Sequence, residues 1–395
     1  MFFTSTTNHA HKPPKQLNNK PSTITADALK KNILIVCTSP ALGGLELYAE
    51  REWHNLNQHP DHKCYFALSA SGKLMQRLKQ QYDTKQLPIH ASKLFPLFAA
   101  IKMARYIDRH AIDIIHMHWG NDLHLCALAK IISKTKPVLI YSRHMRITRP
   151  KKDFFHRFFY RQVNTVLAVS RCVLNDAHLF LPLDKSQSQL LHPGVAAPTK
   201  VTNNCPAHLS EHKPEGGFYI GMFGRIEHGK GQHLLIDAVA SLLHDGTHVT
   251  AYIIGHPMDH AYFSSLKKRV QEEKLDNNIV FMDFVDNPSQ ILPCFDVITL
   301  LTYCETFGLI LAEAMRANVC VIGTNAGGVP DIIDNEKTGL LIEAGDTNML
   351  AHAIKRLHDN PELKNSLAHA GKIKADRCFN EENHFSKLRD IIAQL

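Results

Sequence analysis

The chain has 395 residues, of which 44% are hydrophobic and 21% are charged. This composition is typical of globular proteins, and it excludes a disordered, a collagen-like or a coiled-coil chain. The net charge of +8 is compatible with nucleic acid, anionic lipid or phosphorylated small molecules as partners, and it does not choose among them.

The first 30 residues are polar and lack the apolar stretch of a secretory signal, so we expect residues 1–30 to be a flexible tail. A domain of alternating strands and helices is predicted over residues 31–198. The reason is a series of near-continuous apolar runs with β-branched residues, which is typical of strands buried on both faces. These predicted strands are Asn32–Cys37, Ile112–Met117, Val138–Tyr141 and Val166–Val169.

A segment rich in Pro, Asn, Lys and Glu, residues 199–217, is predicted to be a linker. The alternation restarts after it and predicts a second domain of the same class over residues 218–379. The amphipathic last helix, residues 380–395, is expected to pack back onto the first domain. From this alternation we expect an α/β fold in which two βαβ domains face a cleft. The strands predicted in the second domain are Phe218–Phe223, Val249–Ile254, Ile279–Phe281, Val297–Leu301 and Val319–Ile322.

The apolar runs are strand-sized and fall far short of the roughly 18 to 20 residues that a membrane-spanning helix needs. Together with the polar first 30 residues, this predicts a cytoplasmic protein that does not span a membrane.

The loop after the first strand of the second domain resembles an incomplete phosphate-binding P-loop. Gly224 to Lys230 matches the first seven positions, but Gly231 stands where the motif needs the hydroxyl that holds magnesium. An ATPase is therefore disfavoured. A strand followed by Arg225, Lys230 and a helix starting near Gly231 still predicts an anion site. The alternative is a surface turn whose basic side chains are solvated.

The densest group of candidate residues follows the fourth predicted strand of the second domain. A helix is predicted to begin near Gly308, so that the backbone N–H groups of Gly308, Leu309 and Ile310 can bind an anion. Glu305 precedes this helix and Glu313 lies inside it, and carboxylates accept paired hydrogen bonds from vicinal diols. A ligand with a hydroxyl-rich end, a diphosphate and a ribose would satisfy all these groups. The alternative is a capping glutamate and a solvated helical one.

Glu305 and Glu313 resemble the E-x7-E signature of family 4 glycosyltransferases, which are retaining enzymes with the GT-B fold. The resemblance covers about residues 32–395 and implies two Rossmann-like domains, an N-terminal acceptor domain and a C-terminal nucleotide-sugar donor domain. Four further segments agree with it in the expected order: Gly43–Glu46, Gly224–Arg225 with Lys230, Gly327–Pro330 and Thr338–Leu340.

The resemblance also implies roles for individual residues of the second domain. Arg225 and Lys230 would neutralise the donor diphosphate. Glu305 would bind hydroxyls of the donor sugar, and Glu313 would hold the ribose. In the first domain, Gly44 would belong to a loop that lets the backbone approach the phosphate or the acceptor.

Two histidines follow predicted strands of the first domain. By resemblance His144 would contact the donor sugar, which makes it a candidate catalytic residue with Glu305, Arg225 and Lys230. His118, with Trp119 next to it, is expected to line the same cleft on the acceptor side. The alternative for either histidine is a buried, hydrogen-bonded side chain of the core.

The expected reaction needs no metal ion and no other cofactor. Arg225, Lys230 and the helix N-terminus at Gly308 can stabilise a leaving diphosphate without a metal, and the sequence has no Asp-x-Asp motif. The resemblance implies a UDP- or GDP-linked sugar as donor substrate. It also implies front-face attack with retention, in which the departing phosphate oxygen takes the acceptor's proton.

A basic, aromatic segment of the first domain is a candidate surface for the acceptor. On a helix its four phenylalanines form one face beside Lys152 and Arg157, and such a helix can lie on an anionic bilayer. The alternative is that this face packs into the first domain. No nucleic-acid-binding motif is present. The four phenylalanines are Phe154, Phe155, Phe158 and Phe159.

The sequence therefore predicts a retaining, hexosyltransferase-type glycosyltransferase that works in the cytoplasm, with peripheral contact to the inner membrane surface as one option. Its expected acceptor is a cell-envelope glycan or a lipid-linked molecule, such as lipopolysaccharide. Two other functions remain open. One is a nucleotide-sugar epimerase or phosphorylase on the same fold, and the other is a catalytically inactive binding module.

Overall fold

The computed structural model describes residue 1 and residues 30–81, 86–90, 96–198 and 217–395. Residues 2–29 of the predicted tail and residues 199–216 of the predicted linker lie outside the described residues. Within the described ranges the chain forms two parallel β-sheets, each flanked by helices on both faces. This arrangement confirms the expected α/β class with two Rossmann-like domains.

The first sheet is entirely parallel and has the strand order β3-β2-β1-β4-β5-β6-β7. Its strands are β1 (Lys31–Cys37), β2 (His62–Ser69), β3 (Leu87–Ile89), β4 (Ile114–Met117), β5 (Val138–Arg143), β6 (Thr165–Ala168) and β7 (Ser188–Leu190).

The second sheet repeats this plan with the order β10-β9-β8-β11-β12-β13, again entirely parallel. Its strands are β8 (Phe218–Phe223), β9 (Val249–Ile254), β10 (Ile279–Met282), β11 (Val297–Leu300), β12 (Cys320–Thr324) and β13 (Leu340–Ile342).

The described helices cover both faces of each sheet; most of them connect successive strands, and the last three follow the final strand, β13. They are α1 (Gly44–Gln58), α2 (Lys73–Gln81), α3 (Leu97–Arg109), α4 (Leu123–Ile132), α5 (Phe154–Tyr160), α6 (Arg171–Phe180), α7 (Gln232–His244), α8 (His260–Glu272), α9 (Leu309–Arg316), α10 (Val329–Ile332), α11 (Thr347–Asp359), α12 (Pro361–Cys378) and α13 (Glu381–Gln394). Among the described residues, none of these helices combines the length and the apolar character that a bilayer crossing requires.

The central strand β1 explains why the predicted strands are continuous apolar runs. Leu34 and Val36 point into the core on one face of the sheet, while Ile33, Ile35 and Cys37 point into the core on the other face. Because successive side chains of a strand alternate between faces, a strand that is covered by helices on both sides needs an apolar residue at every position.

The strand order of each sheet reverses at one place, between β1 and β4 in the first sheet and between β8 and β11 in the second. In open parallel sheets, ligands bind at the carboxyl ends of the strands beside such a reversal. The loops that follow these four strands begin near Thr38, His118, Gly224 and Leu301, and they carry most of the candidate site residues.

The last helix, α13, packs on the first domain, although it follows the second domain in the chain. Phe385, Leu388 and Ile392 are buried in the same cluster as Ile33 and Ile35 of β1. At the edge of this contact Nζ of Lys31 donates a hydrogen bond of 2.8 Å to the carbonyl of Ile392.

Four strands of the structure have no counterpart in the sequence prediction. Three of them, β3, β7 and β13, are three residues long and lie at sheet edges. Such short edge strands carry too few residues for a hydrophobic pattern. The fourth, β2, begins with polar and half-exposed residues before it enters the core.

Candidate functional site

A cavity of about 440 Å³ lies between the two domains, at the carboxyl ends of their central strands. It brings together eight of the eleven site residues that the sequence predicts. From the first domain it is lined by Gly44, Trp119 and His144, and from the second by Lys230, Glu305, Gly308, Leu309 and Ile310.

The loop that carries Lys230 is held against the end of β11. Gly231 has φ +79°, and a Cβ atom there would lie 2.4 Å from the carbonyl oxygen of Leu301, so the close approach requires glycine. The hydroxyl of Thr302 and the N–H of Tyr303 both donate to the carbonyl of Gly229, each at 3.2 Å. These contacts fix the position of Lys230 relative to the segment that follows β11.

Lys230 and Glu305 face each other across this loop contact. Nζ of Lys230 lies 2.8 Å from Oε2 of Glu305, and Oε1 of Glu305 accepts a 3.0 Å hydrogen bond from the N–H of Thr306. The two charged side chains are 20% and 19% exposed. Each is therefore largely shielded from solvent while it lines the cavity.

The glycine pair Gly327–Gly328 supports the segment that carries Glu305. Gly327 has φ +60°, and a Cβ atom there would lie 1.9 Å from the carbonyl oxygen of Glu305. The N–H of Gly328 donates to that same oxygen at 2.9 Å, and a Cβ on Gly328 would lie 2.2 Å from the carbonyl oxygen of Thr306. Glycine is needed at both positions because the two backbones touch.

Helix α9 begins at Leu309, as the sequence predicts. Gly308 is its N-cap residue with φ +101°, a conformation that glycine adopts without strain. The first backbone N–H groups of a helix have no partner within the helix, and the helix dipole adds partial positive charge at this end. Gly308, Leu309 and Ile310 line the cavity together with Lys230, so this wall of the cavity favours an anion.

Glu313 lines a second cavity, of about 500 Å³, that adjoins the first. Gly44 and Leu309 line both cavities, so the two form neighbouring parts of one interdomain cleft. Arg51 lines the second cavity as well. Burial raises the pKa of Glu313, and the charge of Arg51 opposes this rise.

Arg225 does not line either of these cavities. Its guanidinium is 60% exposed and lies 2.9 Å from the carboxylate of Glu227, two residues along the chain. The backbone of Arg225 is nevertheless fixed, because its carbonyl accepts a 2.9 Å hydrogen bond from the side chain of Gln232. The proposed contact of Arg225 with a diphosphate stays a prediction.

His118 lies behind the cavity wall and does not line the cleft, which differs from the sequence expectation. Its side chain is buried among other polar groups, and its Nδ1 lies 3.2 Å from Nε2 of His144, the histidine that lines the cavity. The physical reason is that His118 follows directly on β4 in the centre of the sheet, whereas Trp119, one residue later, reaches the cavity.

Glu52, which sequence reasoning missed, faces these histidines from helix α1. Its Oε1 lies 2.6 Å from Nδ1 of His116, and its Oε2 lies 3.4 Å from Nε2 of His118. His116 in turn contacts the hydroxyl of Ser142 at 2.8 Å. A signal was present in the sequence, because Glu52 occupies the buried face of an amphipathic helix, where a carboxylate needs a partner.

Burial and charge shift the pKa values of this group in opposite directions. Burial lowers the pKa of His118 and lowers that of His144 well below the ordinary value. For Glu52, burial raises the pKa, but the two neighbouring histidines lower it further, and the net pKa is well below the ordinary value. Glu52, His116 and His118 also place three possible metal-ligand atoms within 4.8 Å of one another.

Helix α5 exposes most of the predicted aromatic face. Phe154, Phe155 and Phe158 are 87%, 56% and 44% exposed, whereas Phe159 and Tyr160 are buried in the core. The expectation that this face packs into the first domain therefore holds for one of the four phenylalanines. The exposed basic residues nearby in the chain are Arg149, Lys152, Arg157 and Arg161.

Two family models match the chain, one on each domain. The model for Glycosyltransferase Family 4 matches residues 42–197, and the model for Glycosyl transferases group 1 matches residues 207–374. The chain is 24% identical over 369 residues to N-acetyl-alpha-D-glucosaminyl L-malate synthase of Bacillus anthracis, covering 83% of this chain and 94% of that protein. It is 31% identical over 163 residues to the lipopolysaccharide core biosynthesis mannosyltransferase LpsB of Rhizobium meliloti, covering 39% of this chain and 46% of that protein.

Solved structures share the fold over nearly the whole chain. HepE from Anabaena, in complex with UDP and glucose, superposes with a TM-score of 0.76 at 21% identity, covering 92% of this chain and 99% of HepE. A glycosyltransferase from Rickettsia africae superposes with a TM-score of 0.80 at 19% identity, covering 92% of this chain and 97% of that one. These likenesses confirm the expected GT-B fold.

Proposed function

The chain belongs to the group 1, family 4-like glycosyltransferases, and we propose that it transfers a sugar, with retention, from a nucleoside-diphosphate sugar to an acceptor of the cell envelope. That it is a glycosyltransferase follows from the family. The donor, the stereochemistry and the acceptor are the parts that we propose.

The observation that carries the proposal is the wall formed by Lys230, Glu305 and the start of helix α9. An ammonium group lies 2.8 Å from a carboxylate, and both line a cavity with the helix N-terminus at Gly308. A diphosphate needs positive charge and N–H donors, and a sugar needs an acceptor for its hydroxyl protons. This wall offers both kinds of group within one cavity.

A nucleoside-diphosphate sugar is long enough to use both parts of the cleft. We place its diphosphate at Lys230 and the first turn of α9, its sugar between Glu305 and His144, and its ribose at Glu313 in the second cavity. Gly44 and Leu309 line both cavities and would border the donor where it passes from one to the other. UDP is the first nucleotide to test, because HepE was solved with UDP and glucose.

The proposed reaction exchanges one bond at the anomeric carbon for another on the same face. The bond from this carbon to the phosphate oxygen breaks, and a bond to the acceptor hydroxyl oxygen forms. The departing phosphate oxygen takes the hydroxyl proton. Lys230 and the N–H groups of α9 stabilise the negative charge that develops on the diphosphate, so the scheme assigns no step to a metal ion or another cofactor.

We propose a lipid-linked or glycan acceptor of the cell envelope, reached from the cytoplasmic surface of the inner membrane. Three exposed phenylalanines on α5 with basic residues around them suit an anionic bilayer surface, since apolar side chains can enter the interface while cations meet the headgroups. LpsB, a lipopolysaccharide core mannosyltransferase, is among the relatives, which makes a lipopolysaccharide precursor a reasonable acceptor to try.

Titration of the purified protein with UDP, GDP and ADP tests the donor part of the proposal, and UDP or GDP is expected to bind. Transfer from the matching sugar nucleotide to lipopolysaccharide precursors, analysed by NMR at the anomeric carbon, tests acceptor and retention. We expect EDTA to leave the rate unchanged. Absence of any nucleotide binding would favour an inactive binding module, and conversion of the donor without an acceptor would favour an epimerase or a phosphorylase.

A further inference from the structure

A row of buried polar side chains connects helix α1 to the wall of the cavity. We infer that Glu52 and His118 are positioning residues that hold His144 neutral, with its proton on Nε2, so that Nδ1 of His144 is left to accept a hydrogen bond from a sugar hydroxyl. The sugar in this statement rests on the proposed function, whereas the protonation state of His144 does not.

The row has three members that touch in sequence. Oε2 of Glu52 lies 3.4 Å from Nε2 of His118, and Nδ1 of His118 lies 3.2 Å from Nε2 of His144. Glu52 and His118 are buried, and His144 lines the cavity. The three residues come from α1, from the end of β4 and from the end of β5, so the fold brings them together from distant parts of the chain.

The proton positions follow from what each atom can donate. An ionised carboxylate accepts hydrogen bonds and cannot donate one, so Nε2 of His118 must carry a proton to interact favourably with Glu52. A neutral histidine has one N–H, which leaves Nδ1 of His118 as an acceptor. Nε2 of His144 must then donate to it. In neutral His144 the other nitrogen, Nδ1, is the acceptor.

The surroundings favour neutral histidines and an ionised Glu52. Burial lowers the pKa of His118 and of His144, and the two neighbouring histidines lower the pKa of Glu52 against the effect of its own burial. The titratable and charged groups that face the row from the packed elements are His116 on β4, Tyr48 and Arg51 on α1, Cys64 on β2 and His384 on α13.

The alternative is that Glu52, His116 and His118 bind a metal ion. Ligand atoms that each lie about 2.1 Å from a tetrahedral zinc ion are about 3.4 Å from one another. Oε1 of Glu52 lies 2.6 Å from Nδ1 of His116, which is closer than two ligand atoms of one tetrahedral zinc ion, although the pair lacks the alignment of a hydrogen bond. His116 also uses its other nitrogen toward the hydroxyl of Ser142. The 2.6 Å separation therefore favours direct contact of Glu52 with His116 over a shared zinc ion, and the hydrogen bond of the row is the one between His118 and His144.

Long-range proton–nitrogen NMR on the protein labelled with ¹⁵N-histidine tests the inference directly, since it separates the two neutral histidine tautomers. Comparison with a His144→Gln variant identifies the signals of His144. We expect neutral His144 with its proton on Nε2 between about pH 6 and pH 8, near the ordinary histidine pKa of about 6.5. A proton on Nδ1, or a cationic ring, would overturn the inference.

Glu52→Gln keeps the shape of the side chain and replaces one acceptor oxygen by a donor. We expect a mixture of His144 tautomers and a fall in kcat on the order of tenfold, the size of one lost hydrogen bond between the neutral His144 ring and a sugar hydroxyl. The affinity for UDP should not change, because UDP lacks the transferred sugar that His144 is proposed to contact. Unchanged tautomer and unchanged kcat in this variant would overturn the inference.

Asp122→Asn is the matched control. Asp122 is also buried in the first domain, but it accepts from the N–H of Thr38 at 3.0 Å and from the hydroxyl of that residue. We expect it to lower stability without changing the tautomer of His144. If Glu52→Gln fails to fold, the tautomer in the wild-type protein still decides the inference. About one equivalent of zinc in purified protein would overturn it.

Failure of the inference and failure of the proposed function give different results. A wild-type protein that binds no nucleotide and transfers no sugar would contradict the proposed function, while the NMR measurement would still report the tautomer of His144. Conversely, an active transferase whose His144 carries its proton on Nδ1 would contradict the positioning role and leave the proposed function intact.

Discussion

The ammonium group of Lys230 lies 2.8 Å from the carboxylate of Glu305, although the two residues are 75 positions apart in the chain. Each side chain holds the other at the wall of the interdomain cavity. A diphosphate that binds to Lys230 would compete with Glu305 for the same ammonium group, and the released carboxylate oxygen would become an acceptor for sugar hydroxyls. We therefore expect that binding of the donor's diphosphate at Lys230 favours binding of its sugar at Glu305.

Lys230→Ala should weaken the binding of UDP by about 1 to 3 kcal/mol, the range for one hydrogen bond to a charged group. Isothermal titration of the variant with UDP measures the change. Lys268→Ala is the control, because Lys268 is an exposed residue whose ion pair with Glu272 lies on the surface of α8. Equal UDP affinity in wild type and Lys230→Ala would remove Lys230 from the donor site.

Glu305→Gln should reduce kcat on the order of 100-fold, the size expected for a group that acts on the charge of the transition state. Binding of UDP should be retained, because UDP lacks the transferred sugar that Glu305 is proposed to hold. Glu227→Gln, which changes the exposed partner of Arg225, is the comparison in the same assay. Near-normal turnover of Glu305→Gln would contradict the site assignment.

Gly327→Ala should destabilise the second domain more than Gly246→Ala does. Both glycines have positive φ, so alanine costs about 1 to 2 kcal/mol at either position. A Cβ atom at Gly246 meets nothing within 4 Å, whereas one at Gly327 would lie 1.9 Å from the carbonyl of Glu305. The clash should cost about 1 to 3 kcal/mol more.

Urea denaturation of the two glycine variants measures this difference in the free energy of unfolding. Because the clash displaces the segment of Glu305, Gly327→Ala should also lose transfer activity, while Gly246→Ala should keep it. Equal stability of the two variants would mean that the contact between Gly327 and Glu305 does not constrain the site.

Stability should fall as the pH is lowered below about 6.5, the ordinary pKa of histidine. Burial lowers the pKa of His384 to about 4. Between these pH values the unfolded chain binds a proton that the folded protein does not, so the free energy of unfolding decreases toward acid. His384 alone should account for about 2 kcal/mol between about pH 7.5 and pH 5, and the lowered pKa values of His118 and His144 act in the same direction.

Denaturation curves at several pH values test this dependence. The neutral form of His384 is built into the structure, because its Nδ1–H donates to the carbonyl of His192 and its Nε2 accepts from the hydroxyl of Tyr48, both at 2.7 Å. His384→Gln should flatten the pH dependence, and His244→Gln, at an exposed position, should not. A slope that is the same in all three proteins would contradict the argument.

Replacing Phe154, Phe155 and Phe158 together by serine should reduce binding to vesicles that contain anionic lipid. These side chains are exposed, so their removal takes apolar contact from the bilayer without opening the core. Flotation with vesicles of anionic and of neutral lipid measures binding. Ile373→Ser, an exposed apolar residue of the second domain, should bind like wild type. Full binding by the triple variant would exclude α5 as the membrane contact.

The parts of the site that the sequence predicts are those that follow strands. Glu305 and Lys230 lie in loops after β11 and β8, and parallel strands bring such loops to one edge of the sheet. A strand pattern and a local motif are therefore enough to place both residues in one cleft. His144 and Trp119 follow β5 and β4 in the first domain, and the same reasoning applies to them.

The parts that the sequence does not predict depend on contacts between distant elements. Glu52 lies in helix α1, whereas its partner His116 lies on β4 and its partner His118 directly after β4, more than 60 residues later. His118 is buried because it directly follows β4 in the centre of the sheet, behind the cavity wall, and Phe154 is exposed at the start of α5. The orientation of the Arg225 side chain depends on its ion pair with Glu227.

The return of helix α13 to the first domain has a consequence for how the protein is made. The hydrophobic layer of β1 cannot close until Phe385, Leu388 and Ile392 have left the ribosome, some 350 residues after the strand itself. The apolar surface on this face of the first domain therefore stays exposed while the second domain is synthesised and folds. Chains that end before residue 381 lack α13 and keep this apolar surface exposed. We therefore expect chaperones to bind them and proteases to degrade them.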